Sequence, residues 1–462
     1  MVNPTYVTFK SDRPASDFMD QFHFYNRELE TLDRERLRRL QDEKLRRLMN
    51  ELATNGFYLE RFQAAGIKPT DVREFADLRS TLPFTTKDEL VREQQAYPPF
   101  GRLLTYELSR YLYLHQTSGT TASPLKWLDT SEDWETWMRC WACVYRGAGV
   151  SADDTIFCAF SFGPYVSHWS AISGARSIGA LSLAGGGMNS EQRLRTIFDN
   201  RCTVLVCTPT YALHLAEVAR ERGLSLRDSA VRLTIHAGEP GASVPNVRKQ
   251  IEATWGARCF DHAGATEVGA WAFDCEARDD SIHLNEAEFI FELIETKSGE
   301  VFSVEEVASN IDARGELVIT NLGRAGMPVL RYRTGDLVEI SNEPCACGRS
   351  FTRIKGGVIG RADDMLIVRG VNLYPSAIDN LLRSLPRIIE YEVLIRRVAG
   401  LDDLLIKIET NDDAQSFTET ERAVLEAFRA QFAIRVSIEQ AETGSLPRYE
   451  FKAKRYKRIV DE

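Results

Sequence analysis

No stretch of roughly 18 consecutive apolar residues occurs in the chain, so no membrane-crossing helix is expected. Basic charge is in short supply as well. Lys and Arg total 57 against 67 Asp and Glu, a formal net charge of −10, and a general nucleic-acid binder would need a basic face that this balance does not supply. Met1-Val2-Asn3-Pro4 lacks the basic-then-apolar pattern of a secretory signal, so a cytoplasmic location is expected. Cysteine is sparse and odd in number, nine residues, which favours thiols or metal ligands over a disulfide framework. Internal repeats and low-complexity tracts are missing. So is a Walker A loop: Lys126 lacks the preceding glycine that such a loop requires.

What is present is length and alternation. At 462 residues the chain exceeds one ordinary core and suggests a large domain plus a smaller one. Residues 28–54 have helical periodicity; within them Leu37, Leu40, Leu45 and Leu48 interleave with a basic run from Arg34 to Arg47, the pattern of a solvated amphipathic helix. Short β-rich runs such as 155–160 and 202–207 alternate with helical stretches such as 210–222, which predicts βαβ units, largely parallel sheets and an α/β fold. From Ile282 to Ile340 the pattern turns antiparallel. Glycines at 356, 357 and 360 mark a junction, so domains are expected at 1–359 and 360–462, the second a small α+β unit. Cys140, Cys143, Cys158, Cys202, Cys207 and Cys259 sit among apolar neighbours and read as core residues; packing is the better reading of Cys140-Trp141-Ala142-Cys143 despite its redox-like spacing.

Thr117-Ser118-Gly119-Thr120-Thr121-Ala122-Ser123-Pro124-Leu125 follows the alternating strand 111–115. A small hydroxyl-rich loop can wrap a polyphosphate with backbone N–H groups, although alone it reads as a solvated turn. Downstream come Asp261-His262-Ala263-Gly264-Ala265-Thr266-Glu267, Tyr332-Arg333-Thr334-Gly335-Asp336, Gly360-Arg361-Ala362-Asp363-Asp364 and a basic tail containing Lys452. This ordered set resembles the adenylate-forming enzymes, and within them the phenylacetate–CoA ligase-like branch. The resemblance spans nearly the whole chain, from Leu40-Gln41-Asp42-Glu43 through Leu82-Pro83-Phe84-Thr85-Thr86-Lys87 to Gly444-Ser445-Leu446-Pro447-Arg448. It implies a large adenylation domain with a small mobile lid, and ATP-dependent activation of an aryl or arylacetic acid through an acyl-adenylate, followed by thioester formation with CoA. Transfer to a carrier protein, amine or other nucleophile is an alternative, and a non-catalytic nucleotide-binding relative is another. A homodimer is compatible with the family.

Attack of a carboxylate on the α-phosphate of ATP brings two anions together, so the site needs phosphate donors, a dication and a placed positive charge. By resemblance, Thr117, Ser118, Gly119, Thr120 and Thr121 supply donors, Glu267 is a Mg2+ ligand with Thr121 toward the metal, and Thr266 belongs to the same nucleotide motif. Lys452 is the candidate catalytic cation, with Lys454 the alternative in a lysine-rich tail. Asp336 would hold the ribose and Arg361 the nucleotide, while Gly238, Glu239, Pro240 and Asp261 would border the adenine. Three positions depart from the family pattern: Ala122 and Phe451 stand where glycine is usual, and Ala263 where an aromatic is usual. Phe162, Tyr165, His168 and Gly264 fall where the family lines its acyl pocket, core packing being the plain alternative. Asp363 is the hinge by resemblance, and Arg369 and Gly370 would line the pantetheine passage. Cys275, His283, Cys345 and Cys347 make a full tetrahedral donor set for structural Zn2+, with four unrelated side chains as the other reading.

Overall fold

The computed structural model describes residues 22–117, 124–277, 280–307, 314–341, 343–362, 364–368, 371–398, 401–410, 414–449 and 453–459. The helical periodicity over 28–54 does not become one helix. A short helix, Arg27–Glu30, stops before Asp33, whose carboxylate accepts the Arg36 N–H at 2.8 Å and starts a new helix, Arg34–Glu51. Residues 52–54 tighten into a 3-10 turn. Leu37, Leu45 and Leu48 are buried, as the leucine spacing predicts, and the arginines between them face outward.

The large domain is organised on one mixed sheet of thirteen described strands. Its parallel part runs Leu181–Ala184, Thr155–Cys158, Val204–Cys207, Leu233–His236, Arg258–Ala265. The runs Val204–Cys207 and Leu233–His236 are buried at every position because helices cover both faces. Beyond Arg258–Ala265 the pairing turns antiparallel through Gly269–Phe273, Ser281–Leu284, Arg353–Lys355, Tyr332–Ser341, Arg314–Asn321, Phe289–Glu295 and Val301–Ser303. This is the α/β-to-antiparallel change that the composition of 282–340 predicts.

Local chemistry fixes the helices that matter for the site. Thr130 and Asp133 form a reciprocal capping box that starts Ser131–Gly147. That helix buries Trp141 against Gly174 of Val166–Ser177, where a Cβ would stand only 2.2 Å from the tryptophan Cβ. Cys140 and Cys143 lie buried and unbonded on the same helix, and burial pushes both thiols up. Pro209–Glu221 begins with Pro at its first position and Thr208 as cap, accepting the Tyr211 N–H at 3.2 Å.

A smaller C-terminal α+β domain has its own four-stranded sheet in the order Ser437–Gln440, Leu401–Thr410, Ile388–Val398, Tyr456–Arg458. Helices Pro375–Arg383 and Ala414–Phe432 supply Ile378, Leu382, Val424 and Phe428 to a separate core. Gly360–Arg361 still pairs with the large sheet, Asp336 opposite Arg361. No helix among the described residues is long and apolar enough to cross a membrane.

Candidate functional site

Val204–Cys207, Leu233–His236 and Arg258–Ala265 end on one side of the sheet, where open α/β folds collect ligands. Gly238, after the second of these, has φ of 96°, a left-handed conformation that suits glycine. The next residue, Glu239, uses both carboxylate oxygens. One accepts the Thr210 N–H at 2.9 Å, at the start of Pro209–Glu221; the other accepts the Ala453 N–H of the C-terminal tail at 2.8 Å. Pro240 is exposed beside it.

Asp261 is buried, accepting the Ser243 hydroxyl and the His262 N–H, the latter at 2.9 Å. Burial pushes its carboxyl up to about 6, against the pull of Ser243 and Arg248. A group raised in the folded state binds more protons folded than unfolded, so its contribution favours folding in acid and is lost as pH rises through about 6. Asp261→Asn removes that titration. Its unfolding free energy relative to wild type is expected to increase between about pH 5 and 7.5, by on the order of 1–2 kcal/mol. Urea denaturation at both pH values measures this, and a pH-independent difference would reject it.

Thr266 and Glu267 follow the third strand. Glu267 is buried, with Oε1 accepting the Tyr332 hydroxyl at 2.8 Å. The Thr266 carbonyl accepts from Arg324 Nη1 at 3.0 Å, and Arg324 Nε donates to Asp129 at 2.7 Å; both members of that pair are almost fully buried. A buried ion pair of this kind fixes a loop geometry, because breaking it strands a charge. On Tyr332–Ser341 Asp336 meets Arg361 at 3.3 Å, while the Arg361 guanidinium also donates to the Thr334 carbonyl at 3.0 Å. Between them Gly335 has φ of 74°, and a Cβ there would reach within 2.6 Å of Arg361 Nη2.

Thr117 closes the neck of the hydroxyl-rich loop: its N–H donates to the Leu125 carbonyl at 3.0 Å and its Oγ1 accepts the Leu125 N–H at 3.0 Å. Ser118, Gly119, Thr120 and Thr121 lie outside the described residues, as do Asp363, Arg369, Gly370 and Lys452. Lys454 is exposed, its carbonyl accepting the Tyr449 hydroxyl at 2.9 Å.

The end of the strand before that loop is tied to the aromatic segment, Gln116 N–H to the Pro164 carbonyl at 2.6 Å. Phe162 is 51% exposed and Tyr165 38%, whereas His168 is fully buried; the Phe162 ring stands 4.8 Å from His168 and 5.8 Å from Trp169. Burial lowers the His168 pKa and so favours the neutral ring. Gly186 lets Phe162 settle, since a Cβ there would lie 2.5 Å from the ring. Gly264 is exposed at a bulge in Arg258–Ala265. Core packing therefore describes His168 but not Phe162 or Tyr165.

The remaining cluster is a closed one. Cys275, His283, Cys345 and Cys347 are all buried, and their donor atoms lie within 4.8 Å of one another. Cys275 Sγ is 3.6 Å from Cys345 Sγ, and Cys347 Sγ is 3.4 Å from His283 Nε2. Tetrahedral bonds of about 2.0–2.3 Å to one ion require ligand separations of roughly 3.5–3.8 Å, so the donors fit a metal ion. The cluster is tied to Arg258–Ala265 through Asp274, which precedes Cys275, donates its N–H to the Asp261 carbonyl at 3.0 Å and pairs with Arg248 at 2.7 Å. Arg349 joins it to the N-terminal segment through Glu30 at 2.6 Å.

Sequence reasoning missed Tyr332, Arg324, Asp129 and Ser243. Tyr332 opens a motif that had been singled out, so a buried hydroxyl near Glu267 was within reach. Arg324 and Asp129 are 195 positions apart and neither neighbourhood carries a signal.

Comparison with known proteins extends this picture. A family model described as AMP-binding enzyme C-terminal domain matches residues 370–462. The phenylacetate-coenzyme A ligase of Thermus thermophilus is 32% identical over 392 residues, covering 84% of each chain. The phenylacetate-coenzyme A ligase of Escherichia coli is 29% identical over 435 residues, covering 92% of this chain and 95% of its own. A crystal structure of 2-hydroxyisobutyryl-CoA ligase in the postadenylation state with 2-HIB-AMP superposes with a TM-score of 0.88 at 27% identity, covering 98% of this chain and 95% of that one. The same ligase with CoA in the thioesterification state gives 0.70 at 26% identity, with coverage of 98% and 95%. The whole-chain arrangement here follows the first of the two.

Proposed function

The chain belongs to the phenylacetate–coenzyme A ligase family of adenylate-forming enzymes, and on that basis we propose that it activates an aromatic carboxylic acid with ATP and passes the acyl group to CoA. The observation that carries this reading is the bond from the Ala453 N–H to Glu239, which brings the lysine-bearing tail against the strand-end cleft. In the first step the acid's carboxylate attacks the α-phosphate, forming acyl-adenylate and releasing pyrophosphate. Lys452 offsets the charge of the two meeting anions, and the loop 117–125 donates to the phosphates. Asp336, kept in place by Arg361, accepts from the ribose hydroxyls; Glu239 and Asp261 border the adenine. Phe162, Tyr165, His168 and Gly264 line the acyl pocket, where exposed rings suit a planar aryl group.

Glu267 would hold Mg2+, since Tyr332 occupies one of its oxygens and leaves the second for a dication; the ion, when bound, neutralises phosphate charge. The Cys275–His283–Cys345–Cys347 set would hold Zn2+ as a structural ion, having four protein donors and no open position. For the second step the small C-terminal domain rotates about Asp363, withdraws Lys452 and brings Arg369 and Gly370 to the thiol's path. None of the nine buried cysteines is in a disulfide, which suits a reducing cytoplasm.

A pyrophosphate-release screen with Mg·ATP over phenylacetate, benzoate, hydroxy- and aminobenzoates and indoleacetate tests the reading. At least one acid is expected to give AMP, pyrophosphate and, with CoA, a thioester in equal amounts. Release above background by none of them, at any acid concentration, would count against it.

A further inference from the structure

The tail around position 452 is held from both sides, and one helix of the large domain does most of the holding. Arg448 Nε donates to Glu217 at 2.8 Å, and Arg455 Nη1 donates to Thr210 Oγ1 at 3.3 Å. Thr210 and Glu217 both lie on Pro209–Glu221, a rise of roughly 10 Å apart. Arg448 and Arg455 therefore meet this helix in reverse sequence order, with Ala453, between them in sequence, bonded to Glu239. A crevice of about 400 Å³ lined by Thr210, Glu217, Arg383, Glu390 and Arg448 marks the seam.

The end contacts differ in what they leave behind when broken. Arg455 is committed to the small domain through Glu390, 2.7 Å away and buried, whose carboxyl Arg383 and Arg455 hold down at about 2 although burial opposes it. Arg448 is anchored in the small domain by the fully buried Glu409 at 2.7 Å, and its Nε alone crosses the seam. Glu217 is 21% exposed and Arg448 24%. Glu217 thus has no part in either domain's core, and its bond to Arg448 exists only while the tail lies on the helix. Two further contacts across the seam, Asn246 N–H to Asn380 Oδ1 at 3.2 Å and Asn246 Nδ2 to the Asn380 carbonyl at 3.0 Å, are neutral.

We propose that Glu217 is a positioning residue for the adenylation step: its ion pair with Arg448 seats the tail along Pro209–Glu221 and so sets where residue 452 can reach. The inference rests on the reading of Lys452 given above. Rotation of the small domain separates the pair, so the second step gains nothing from it. A partly buried, charge-assisted bond of this kind biases an equilibrium between arrangements by about a factor of ten, which is about 1.4 kcal/mol.

The experiment uses the full chain with Glu217→Gln, Glu217→Lys and Glu217→Asp. ATP–pyrophosphate exchange with phenylacetate reads the first step; thioester formation from supplied phenylacetyl-adenylate and CoA reads the second. The Gln variant is expected to lose about ten-fold in exchange kcat with KM for ATP unchanged, the Lys variant more, and the Asp variant to recover part of the loss. The second step is expected to stay within about two-fold of wild type. Small-angle scattering, which needs no turnover, should show Glu217→Lys shifted toward more extended particles. Exchange and scattering that match wild type in Glu217→Lys would overturn the inference. So would an equal fall in both steps with a lowered Tm, which would make Glu217 merely structural. Lys452→Ala in the same assays separates the two ideas: normal exchange in that variant sinks the Lys452 reading, whatever Glu217 does.

Discussion

Lys452→Ala is expected to lower ATP–pyrophosphate exchange by about 10²–10³-fold while leaving thioester formation from a supplied acyl-adenylate largely intact. Adenylation needs a cation beside the α-phosphate at the moment two anions meet; the second step does not, because the phosphoryl charge is already shared with a leaving AMP. The anchors that flank the position explain why one lysine can serve. Arg448 is fixed by Glu409, and Tyr456–Arg458 pairs in parallel with Ile388–Val398, so the chain is anchored on both sides of position 452. Lys454→Ala is the informative contrast. That side chain is exposed, and its substitution is expected to change exchange by less than about three-fold. Equal losses in the two variants would mean that tail charge in general, rather than one ammonium, promotes the reaction.

The second large effect is expected at the thiolate–imidazole cluster. Purified protein should contain close to one zinc per chain by elemental analysis, and Cys347→Ser should lose it and lower Tm by roughly 10 °C. The four donors are buried and drawn from Cys275, the strand Ser281–Leu284 and the 345–347 loop, so one ion ties together segments about 70 positions apart. Removing it leaves thiol groups in an apolar setting without a partner. Metal binding requires deprotonated sulfur, so chelator should strip the ion faster as pH falls. A metal-free wild type with the same Tm as Cys347→Ser would overturn the assignment. Activity should fall only as far as the folded fraction falls, since the set leaves no open coordination position for chemistry.

Much of the fold was legible because its signals are local. Alternation at 111–115, apolar runs at 204–207 and 233–236 and the glycines at 356–360 each report backbone conformation or burial within a few residues. The continuous periodicity of 28–54 misled, because a single cap at Asp33 outweighs a pattern that runs through it. The Cys275–His283–Cys345–Cys347 donor set was legible from residue types taken together with the family resemblance, whereas its burial and the mutual approach of its donors came from the fold. Arg324 with Asp129 was not, nor was Glu217 with Arg448. Each is an ordinary charged residue in its own neighbourhood and becomes distinctive only beside a partner 195 or 231 positions away.

The sequence by itself determined the chemical inventory: a hydroxyl-rich loop, the carboxylates of Glu267 and Asp336, a basic tail, and three thiols with one imidazole. Those depend on side-chain identity and on backbone freedom at a few glycines, which are properties of single positions. Tertiary structure alone decided which arrangement the two domains adopt. That choice is a balance of contacts between surfaces far apart in sequence, among them Glu217 with Arg448 and Glu239 with Ala453, and no local pattern encodes the difference between two such balances.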